Sequence, residues 1–310
     1  MILSWTGVMP AITTPFTEQS EIDHEFLARH ASWLVDNGCT GIVACGSLGE
    51  GGSLSLSEKA SLFRTVVAAA GSRVPVVAAV SALTTKEAVA IAHTAASEGC
   101  RGLMVLPPYV YVGDWREMKA HVLAVIRATP LPSMLYNNPI AYKVDFLPEQ
   151  VAELHGEAPL LEAIKESSAD VRRIAELRRL IGAGMRILVG VDDLALEAGL
   201  MSADGWVAGL ANAFPRESVL LFELARAGKM EAAMEIYKWF LPLLRMDTVP
   251  KFVHLIKAVQ ADRGIGSARL RPPRLELSAL ELHEVRATVA TALKGRGSIH
   301  ADTPSVSSRL

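Results

Sequence analysis

Short, uniformly apolar runs alternate along this chain with longer segments in which apolar residues recur at helical spacing. Eight such runs occur before about residue 227, and an amphipathic segment follows each of them. Strands that are apolar throughout are typical of parallel sheets that are covered on both faces. The pattern therefore predicts an α/β fold, namely a (β/α)8 TIM barrel with a small C-terminal helical extension.

The main alternative is an open, doubly wound sheet. No GxGxxG sequence follows the first predicted strand, and the number of strand–helix units is eight, so the barrel is favoured. Two helix starts are well marked, because Ser55 precedes Glu58, and Thr84 precedes Glu87, at capping-box spacing. The predicted strands are residues 7–12, 41–44, 74–80, 102–106, 132–136, 160–165, 186–190 and 205–208.

After the eighth strand the pattern becomes purely helical. Helices are predicted at residues 215–227, 230–244, 249–261 and 278–293, which is more than one barrel-closing helix. We therefore predict a catalytic barrel domain over residues 1–227 and a helical domain over residues 228–294. Residues 295–310 are rich in Gly, Ser and Thr, and we predict a disordered tail there.

Composition excludes several classes of protein. The chain has 310 residues and a formal net charge of −2, which argues against nucleic-acid binding or a basic membrane-binding surface. No signal peptide or membrane-length apolar run is visible. The three cysteines form no CxxC pair and fit a reducing compartment. The histidines form no HExxH or similar set. These features predict a cytoplasmic protein without a metal site.

Lys165 carries the strongest candidate chemistry. It stands near the end of the predicted strand at residues 160–165. Desolvation of an ammonium group is costly, so a buried lysine has a lowered pKa and can act as an amine nucleophile. On its own, Lys165 is more often interpreted as a solvated residue at a strand end. The neighbouring strand ends must therefore decide between these interpretations.

In a barrel of this type, chemistry takes place at the C-terminal ends of the strands. The polar and glycine positions at those ends form one set of candidates. They are Thr13, Thr14, Gly46, Ser47, Leu48, Gly49, Glu50, Pro108, Tyr109, Tyr136, Asn137, Asn138, Lys165, Asp192, Gly209 and Asn212.

Four of these motifs occur in one order: Gly46-Ser47-Leu48-Gly49-Glu50, Tyr136-Asn137-Asn138-Pro139, Ile164-Lys165-Glu166 and Gly190-Val191-Asp192. This order resembles the dihydrodipicolinate synthase/N-acetylneuraminate lyase family over about residues 5–290. Each motif is weak alone, but four in order at strand ends are specific. The resemblance implies a barrel with C-terminal helices, usually a homotetramer, and metal-independent class I lyase chemistry with no cofactor.

The resemblance also implies residue roles. Lys165 would form an imine with a small 2-oxo acid, and Tyr136 would move protons beside it. Ser47 would link to the tyrosine and bind the substrate carboxylate, together with the backbone amides of Ser47 and Leu48. The remaining expected substrate-binding positions are Gly46, Asp192, Gly209 and Asn138.

Structural interpretations of the same residues remain open. Gly46 and Gly49 could form only a tight turn, and Tyr136 could be a buried aromatic residue. Asn137 and Asn138 could be turn formers before Pro139. Asp192 could cap the following helix as readily as bind substrate. Glu50 is expected to cap backbone amides, and Cys45 to be a small buried residue.

Three positions depart from the synthase pattern. Ala141 stands where synthases carry a carboxylate-binding arginine, Leu48 replaces the second hydroxyl of the loop, and Val110 stands where a neighbouring subunit's tyrosine is expected, although Tyr109 and Tyr111 flank it. These changes predict an interrupted proton relay and no clamp for a second carboxylate. Three cations could replace the clamp: Arg101, Arg116 and Lys143.

The residues that remain in the predicted site fit elimination of water or ammonia from a small 2-oxo or 2-imino acid. The principal prediction is the activity of a 1-pyrroline-4-hydroxy-2-carboxylate deaminase, a reaction of hydroxyproline breakdown. The alternatives are 4-hydroxy-tetrahydrodipicolinate synthase and a 2-keto-3-deoxy sugar-acid dehydratase or aldolase. A catalytically silent ligand-binding barrel is the alternative from a different class, against which Lys165, Tyr136 and Ser47 argue.

Overall fold

A closed parallel barrel of eight strands forms the centre of the molecule in a computed structural model that describes residues 3–109 and 111–296. Neighbouring strands pair in parallel from β8 down to β2, and β1 pairs with β8. The barrel closes where Thr40 and Ile12 donate backbone hydrogen bonds of 2.9 Å to Val8 and Val43. The predicted (β/α)8 fold is thus confirmed. The strands are β1 (Gly7–Pro10), β2 (Ile42–Ala44), β3 (Val76–Val80), β4 (Gly102–Val105), β5 (Ser133–Asn137), β6 (Leu161–Glu166), β7 (Arg186–Val189) and β8 (Gly205–Ala208).

Helices follow the strands, and side-chain caps fix where several of them begin. Ser55 Oγ accepts a hydrogen bond from the Glu58 amide while the Glu58 carboxylate accepts one from the Ser55 amide, so the predicted capping box is present. The helices are α1 (His24–Asp36), α2 (Leu56–Ala70), α3 (Thr85–Ser97), α4 (Trp115–Arg127), α5 (Pro139–Tyr142), α6 (Pro148–Glu157), α7 (Arg172–Ile181), α8 (Ala195–Leu200), α9 (Pro215–Arg226), α10 (Met230–Leu244), α11 (Phe252–Asp262) and α12 (Ala279–Gly295).

Three differences from the predicted elements lie close to the strand ends. A 3-10 turn, Asp192–Leu194, follows β7 before α8 begins, and the helix predicted from residue 249 begins at Phe252. A second 3-10 turn, Arg245–Asp247, precedes it. The short helix α5 was not predicted, because four residues are too few to show a helical period.

The strands are buried along nearly their whole length, as uniformly apolar sequences require. Trp206 of β8 is fully buried and packs against Phe222 of α9, so this helix covers the outside of the barrel. Among the described residues, no helix has both the length and the apolar character needed to cross a lipid bilayer.

The C-terminal helices are attached to the barrel by a buried ion pair. Lys257 of α11 is 1% exposed, and it donates hydrogen bonds of 2.9 Å to Glu50 Oε1 and to the Thr14 carbonyl. Burial lowers the pKa of Lys257, and the charge of Glu50 opposes that change. Helix α11 is thereby tied directly to the loops that follow β1 and β2.

The predicted domain division at residues 227 and 228 remains a prediction. Gly295, the first residue of the predicted disordered tail, is instead the last residue of α12. Residues 297–310 of that predicted tail lie outside the described part of the chain.

Replacement of Lys257 by methionine should destabilise the protein strongly. It would leave the Glu50 carboxylate buried without its ammonium partner, which typically costs about 3 to 5 kcal/mol. Urea unfolding of Lys257→Met would measure this loss. The double variant Glu50→Gln/Lys257→Met is the control, and it should recover much of the stability because no charge is left unpaired. A single variant within about 1 kcal/mol of wild type would contradict the importance of this pair.

Candidate active site

Lys165 lies at the C-terminal end of β6 and directly beside Tyr136 of β5. The two residues are register partners in adjacent parallel strands, so their side chains project to the same side of the sheet. The Lys165 ammonium nitrogen is 4.1 Å from the centroid of the Tyr136 ring. Lys165 is only 7% exposed, which excludes the solvated strand-end interpretation.

The electrostatic environment of Lys165 favours the free amine. Burial lowers its pKa, and the nearby Asp247, Tyr142 and Asp192 act in the opposite direction without cancelling the decrease. Because the amine form is the nucleophile, the fraction of reactive Lys165 at neutral pH exceeds that of an ordinary lysine.

Gly190, just after β7, provides the space that Lys165 occupies. A Cβ atom at this position would lie 2.2 Å from Lys165 Cε and 2.2 Å from Ser167 Oγ. No side chain other than hydrogen fits there while the lysine keeps its position. The Gly190-Val191-Asp192 motif therefore contributes through a missing side chain as well as through Asp192.

Tyr136 is held as a neutral phenol. Asn138 Nδ2 donates a 2.9 Å hydrogen bond to the Tyr136 oxygen. Burial raises the pKa of Tyr136 to about 12, while interactions with Asn138 and Ser47 oppose the rise. A phenol with such a pKa keeps its proton at neutral pH, and it can release that proton only to a group generated during a reaction.

The hydroxyl of Tyr142 forms a short hydrogen bond with Ser47 Oγ. The Tyr142 ring also packs edge-on against Tyr136, with 5.8 Å between ring centroids, and burial raises the pKa of Tyr142. Ser47 therefore interacts with two phenols of its own chain. The interruption of the relay therefore remains a prediction, although Tyr142 places beside Ser47 a further hydroxyl that the sequence pattern did not indicate. The available signal was a tyrosine immediately after the Pro139 turn.

The Gly46–Glu50 loop is held in an unusual backbone conformation. Cys45 and Glu50, at its two ends, have φ angles of +60° and +53°, a region that non-glycine residues occupy at a cost of about 1 to 3 kcal/mol. The hydroxyl of Thr14 fixes the loop by donating a 2.6 Å hydrogen bond to the Gly49 carbonyl. Within the described residues, the Ser47 and Leu48 amides donate to no acceptor, so both remain available.

Glu50 and Asn137 both have structural partners. Glu50 is paired with Lys257, and its second oxygen accepts a 3.3 Å hydrogen bond from the Arg271 amide, so amide capping is only part of its role. Asn137 is fully buried and donates to both Asp145 and Glu166, which binds the end of β5 to that of β6. Cys45 is buried, as predicted.

Asp192 supports the turn after β8. Its carboxylate accepts hydrogen bonds from the Gly209 and Leu210 amides and from Trp206 Nε1, at 2.7 to 3.1 Å. Burial raises the pKa of Asp192 to about 6, and these hydrogen bonds and Lys165 oppose the rise. These donors belong to β8 and to the loop after it, and none belongs to the following helix, so the alternative in which Asp192 caps that helix is not realised. A direct role in substrate binding remains a prediction.

Asn138 also has two contacts within its own chain. Besides its bond to Tyr136, its Oδ1 accepts a 3.0 Å hydrogen bond from the Ala141 amide at the start of α5. The residue therefore orients the phenol and caps the helix that carries Tyr142. Its predicted contact with substrate is likewise untested.

The structure also shows where two of the three cations that could replace the missing arginine lie. Lys143 donates to the Ile140 carbonyl of its own turn, and Arg101 precedes β4, at the barrel end opposite to Lys165. Val110 lies outside the described residues. No group of three or more His, Cys, Asp or Glu side chains with metal-binding geometry occurs in residues 3–109 and 111–296.

Asp247 is a second residue that the sequence interpretation missed. It comes from the 3-10 turn before α11, and its carboxylate packs over Gly209 at the end of β8. Sequence periodicity gives no reason to expect a residue of the C-terminal helices in the mouth of the barrel.

Replacement of Gly190 by alanine should displace Lys165, because the added Cβ would overlap Lys165 Cε. We expect imine formation with pyruvate, measured by borohydride trapping, to fall at least about tenfold while circular dichroism stays unchanged. Gly156→Ala is the matched control, since no atom lies within 4 Å of its added Cβ. Equal trapping by both variants would show that Lys165 does not need this space.

Known proteins of the same architecture match nearly the whole chain. The family model described as "Dihydrodipicolinate synthetase family" matches residues 4–292. A 4-hydroxy-tetrahydrodipicolinate synthase of Sorangium cellulosum is 34% identical over 87% of this chain and 90% of its own length. One from Leptospira biflexa is 30% identical over 94% and 98%. The solved 4-hydroxy-tetrahydrodipicolinate synthase of Methylacidiphilum fumariolicum superposes with a TM-score of 0.91 at 27% identity, covering 95% and 98%. The chain belongs to the dihydrodipicolinate synthetase family.

Proposed function

We propose that this chain is a lyase that forms an imine between Lys165 and a small 2-oxo or 2-imino acid. The observation that carries the proposal is the buried Lys165 nitrogen, 4.1 Å from the Tyr136 ring centroid and biased towards the free amine. Lyase chemistry is general in this family, whereas the particular bond that is made or broken differs among its members. The imine converts the carbonyl carbon into an electron sink, which acidifies the adjacent carbon.

The substrate carboxylate would bind at the Gly46–Glu50 loop. The Ser47 and Leu48 amides are available as donors, and the Ser47 hydroxyl adds a third. Successive backbone amides in a tight turn form a concave site for anions. This arrangement would place the carbonyl carbon of the substrate between the loop and Lys165.

Tyr136 would move the proton at the carbon next to the imine. Its phenol is hydrogen-bonded by Asn138, and Ser47 lies between Tyr136 and Tyr142. A proton could therefore pass from Tyr136 through Ser47 to Tyr142 within one subunit. Asn138 orients this relay and has no chemical step of its own.

The names of the relatives give the first indication of which reaction follows imine formation. Those reported above are named 4-hydroxy-tetrahydrodipicolinate synthase, which supports the synthase alternative better than the principal expectation of a hydroxyproline-pathway deaminase. The synthase is accordingly the first candidate. In that reaction the enamine formed from pyruvate would attack an aldehyde carbon.

One specific observation keeps elimination as the second candidate. Ala141 offers no guanidinium to a second carboxylate, and Lys143 is directed to the Ile140 carbonyl. A carboxylate that enters a partly closed site without such a partner carries a desolvation cost of several kcal/mol. A substrate with a single carboxylate, such as a hydroxylated cyclic imino acid, avoids this cost.

The assembly is proposed on the family resemblance alone. We infer a homotetramer, with the barrel over residues 1–227 as the catalytic domain and residues 228–294 as a helical domain. The particle mass in solution would decide the number of subunits.

Borohydride reduction in the presence of pyruvate should attach the substrate to Lys165, as located by peptide mass spectrometry. Because burial lowers the pKa of Lys165, trapping should be half-maximal at a pH below the value of about 10.4 for free lysine, and it should slow as the pH falls further.

The Tyr136→Phe variant should still be trapped by borohydride but lose turnover about 100-fold. A label on another lysine, or near-normal turnover without the phenol, would refute these roles.

Two assays on the purified protein should separate the candidate reactions. The first supplies pyruvate with aspartate semialdehyde, and the second supplies 1-pyrroline-4-hydroxy-2-carboxylate and follows ammonia release. If the relatives indicate the substrate correctly, the first assay should proceed at least about tenfold more efficiently. If instead the absence of an arginine at position 141 determines the substrate, ammonia release should dominate. Ala141→Arg should then improve condensation. Efficient condensation by wild type with no gain in the variant would dismiss the Ala141 argument.

A further inference from the structure

The carboxylate of Asp247 reaches the catalytic end of the barrel from outside the barrel itself. It belongs to the 3-10 turn Arg245–Asp247, between α10 and α11. A Cβ atom on Gly209 would lie 2.0 Å from Asp247 Oδ1 and 2.7 Å from Oδ2. The absence of a side chain at the end of β8 is therefore what allows this carboxylate to enter.

Asp247 Oδ1 is buried and has no hydrogen-bond partner within the described part of the chain. The residue as a whole is half-buried, but this oxygen is shielded from solvent. Its neighbour Asp192 is different, since three separate groups donate to that carboxylate. A buried polar atom without a partner costs about 1 to 3 kcal/mol, so such an atom at a reactive site indicates a partner that arrives with the ligand.

The charged groups around Asp247 favour its neutral acid form. Burial raises its pKa well above the usual value for aspartate, and repulsion from Asp192 and Asp193 adds to the rise, while Lys165 opposes it. Arg245, on the same turn, is 3.8 Å from Asp193 and partly compensates that charge. Asp247 is thus biased towards its protonated form more strongly than an ordinary surface aspartate.

Two proton-carrying groups therefore stand on different sides of Lys165. Tyr136, with Ser47 and Tyr142, belongs to the side formed by β2 and β5, whereas Asp247 lies over the end of β8. A substrate attached to Lys165 would have its carboxylate towards the first group. Its far end would then extend towards the second.

We propose that Asp247 is a further catalytic residue, which donates a proton to the oxygen on the carbon two bonds away from the imine carbon. The proposal rests on the imine at Lys165. If the imine carbon is C2 of the substrate, Tyr136 exchanges the proton on C3, and Asp247 acts on the oxygen on C4.

The step balances in both candidate reactions. In the addition reaction, C3 of the enamine forms a bond to the aldehyde carbon. The carbonyl electron pair moves to the oxygen, and that oxygen takes the Asp247 proton. In elimination, the enamine pair forms the C3–C4 double bond, the C4–O bond breaks, and the departing oxygen takes the same proton and leaves as water. The resulting carboxylate regains a proton from solvent as product leaves.

The test compares a reaction step that requires the Asp247 proton with one that does not. Pyruvate has no C4 oxygen, so deuterium exchange into its methyl group in heavy water reports Lys165 and Tyr136 alone. Asp247→Asn should keep borohydride trapping and methyl exchange within about threefold of wild type. Its kcat on the better substrate of the two assays above should fall at least about 100-fold, with little change in KM. Asp262→Asn, an exposed aspartate that faces Arg286 at 4.0 Å, is the control and should keep normal kcat.

A chemical rescue separates acid catalysis from a structural role. Asp247→Ala should lose turnover, and added formate should restore at least about a tenth of the wild-type rate, because formic acid can occupy the vacated space. Rescue should be strongest at low pH, where the added acid is protonated. A merely structural aspartate would show no such dependence.

A binding measurement keeps the proposal open to refutation should wild type turn over neither substrate. Half-saturation of imine trapping is then compared for pyruvate and 4-hydroxy-2-oxobutanoate. The 4-hydroxyl should tighten binding at least about tenfold in wild type and not in Asp247→Ala. Normal kcat in Asp247→Asn, loss of methyl exchange together with kcat, or no contribution from the 4-hydroxyl would each overturn the assignment. Absence of trapping at Lys165 in wild type would instead refute the proposed function on which it rests.

Discussion

The ion pair between Glu50 and Lys257 is the constraint on which the geometry of the catalytic end depends. Both side chains are almost completely buried, so each is stable there only while the other is present. Glu50 ends the loop that offers the Ser47 and Leu48 amides, and it does so in a left-handed conformation that its own backbone does not favour. Lys257 belongs to α11, beside the turn that carries Asp247. One buried contact therefore fixes the relative positions of the proposed carboxylate site and of the proposed acid.

Burial governs the chemistry at the strand ends in the same way. Lys165, Asp192 and Asp247 are buried close enough to influence one another, and they cannot all carry charge there without a large desolvation cost. Asp192 lowers this cost with three donors from its own chain, which leaves the lysine and Asp247 as the less satisfied groups. The consequence is a lysine biased towards the free amine and an aspartate biased towards the neutral acid, the forms that attack on a carbonyl and protonation of an oxygen require.

Most of the fold could be predicted because it depends on local signals. The eighth strand, residues 205–208, and the helix at residues 230–244 have the predicted limits, and the Ser55–Glu58 cap lies where its spacing indicated. The candidate site was only partly predictable. Lys165, Tyr136 and Ser47 follow strands with recognisable motifs, whereas Tyr142 stands on a helix too short to show periodicity.

Asp247 shows why the remainder of the site could not be predicted. Its position depends on how the turn before α11 packs over Gly209, and no spacing within the sequence encodes that contact. The same reasoning explains how one barrel can serve several reactions. In the proposed mechanism, imine formation and proton transfer at C3 would use residues fixed by adjacent strands, which cannot move without disrupting the sheet. The group proposed to face the far end of the substrate comes from the turn Arg245–Asp247 between C-terminal helices, where a change of one residue disturbs no strand pairing. On the proposed mechanism, the nature of the second reactant would therefore be decided by that turn and by the helix after β5, where Ala141 stands, while the barrel would keep the imine chemistry common to both candidate reactions.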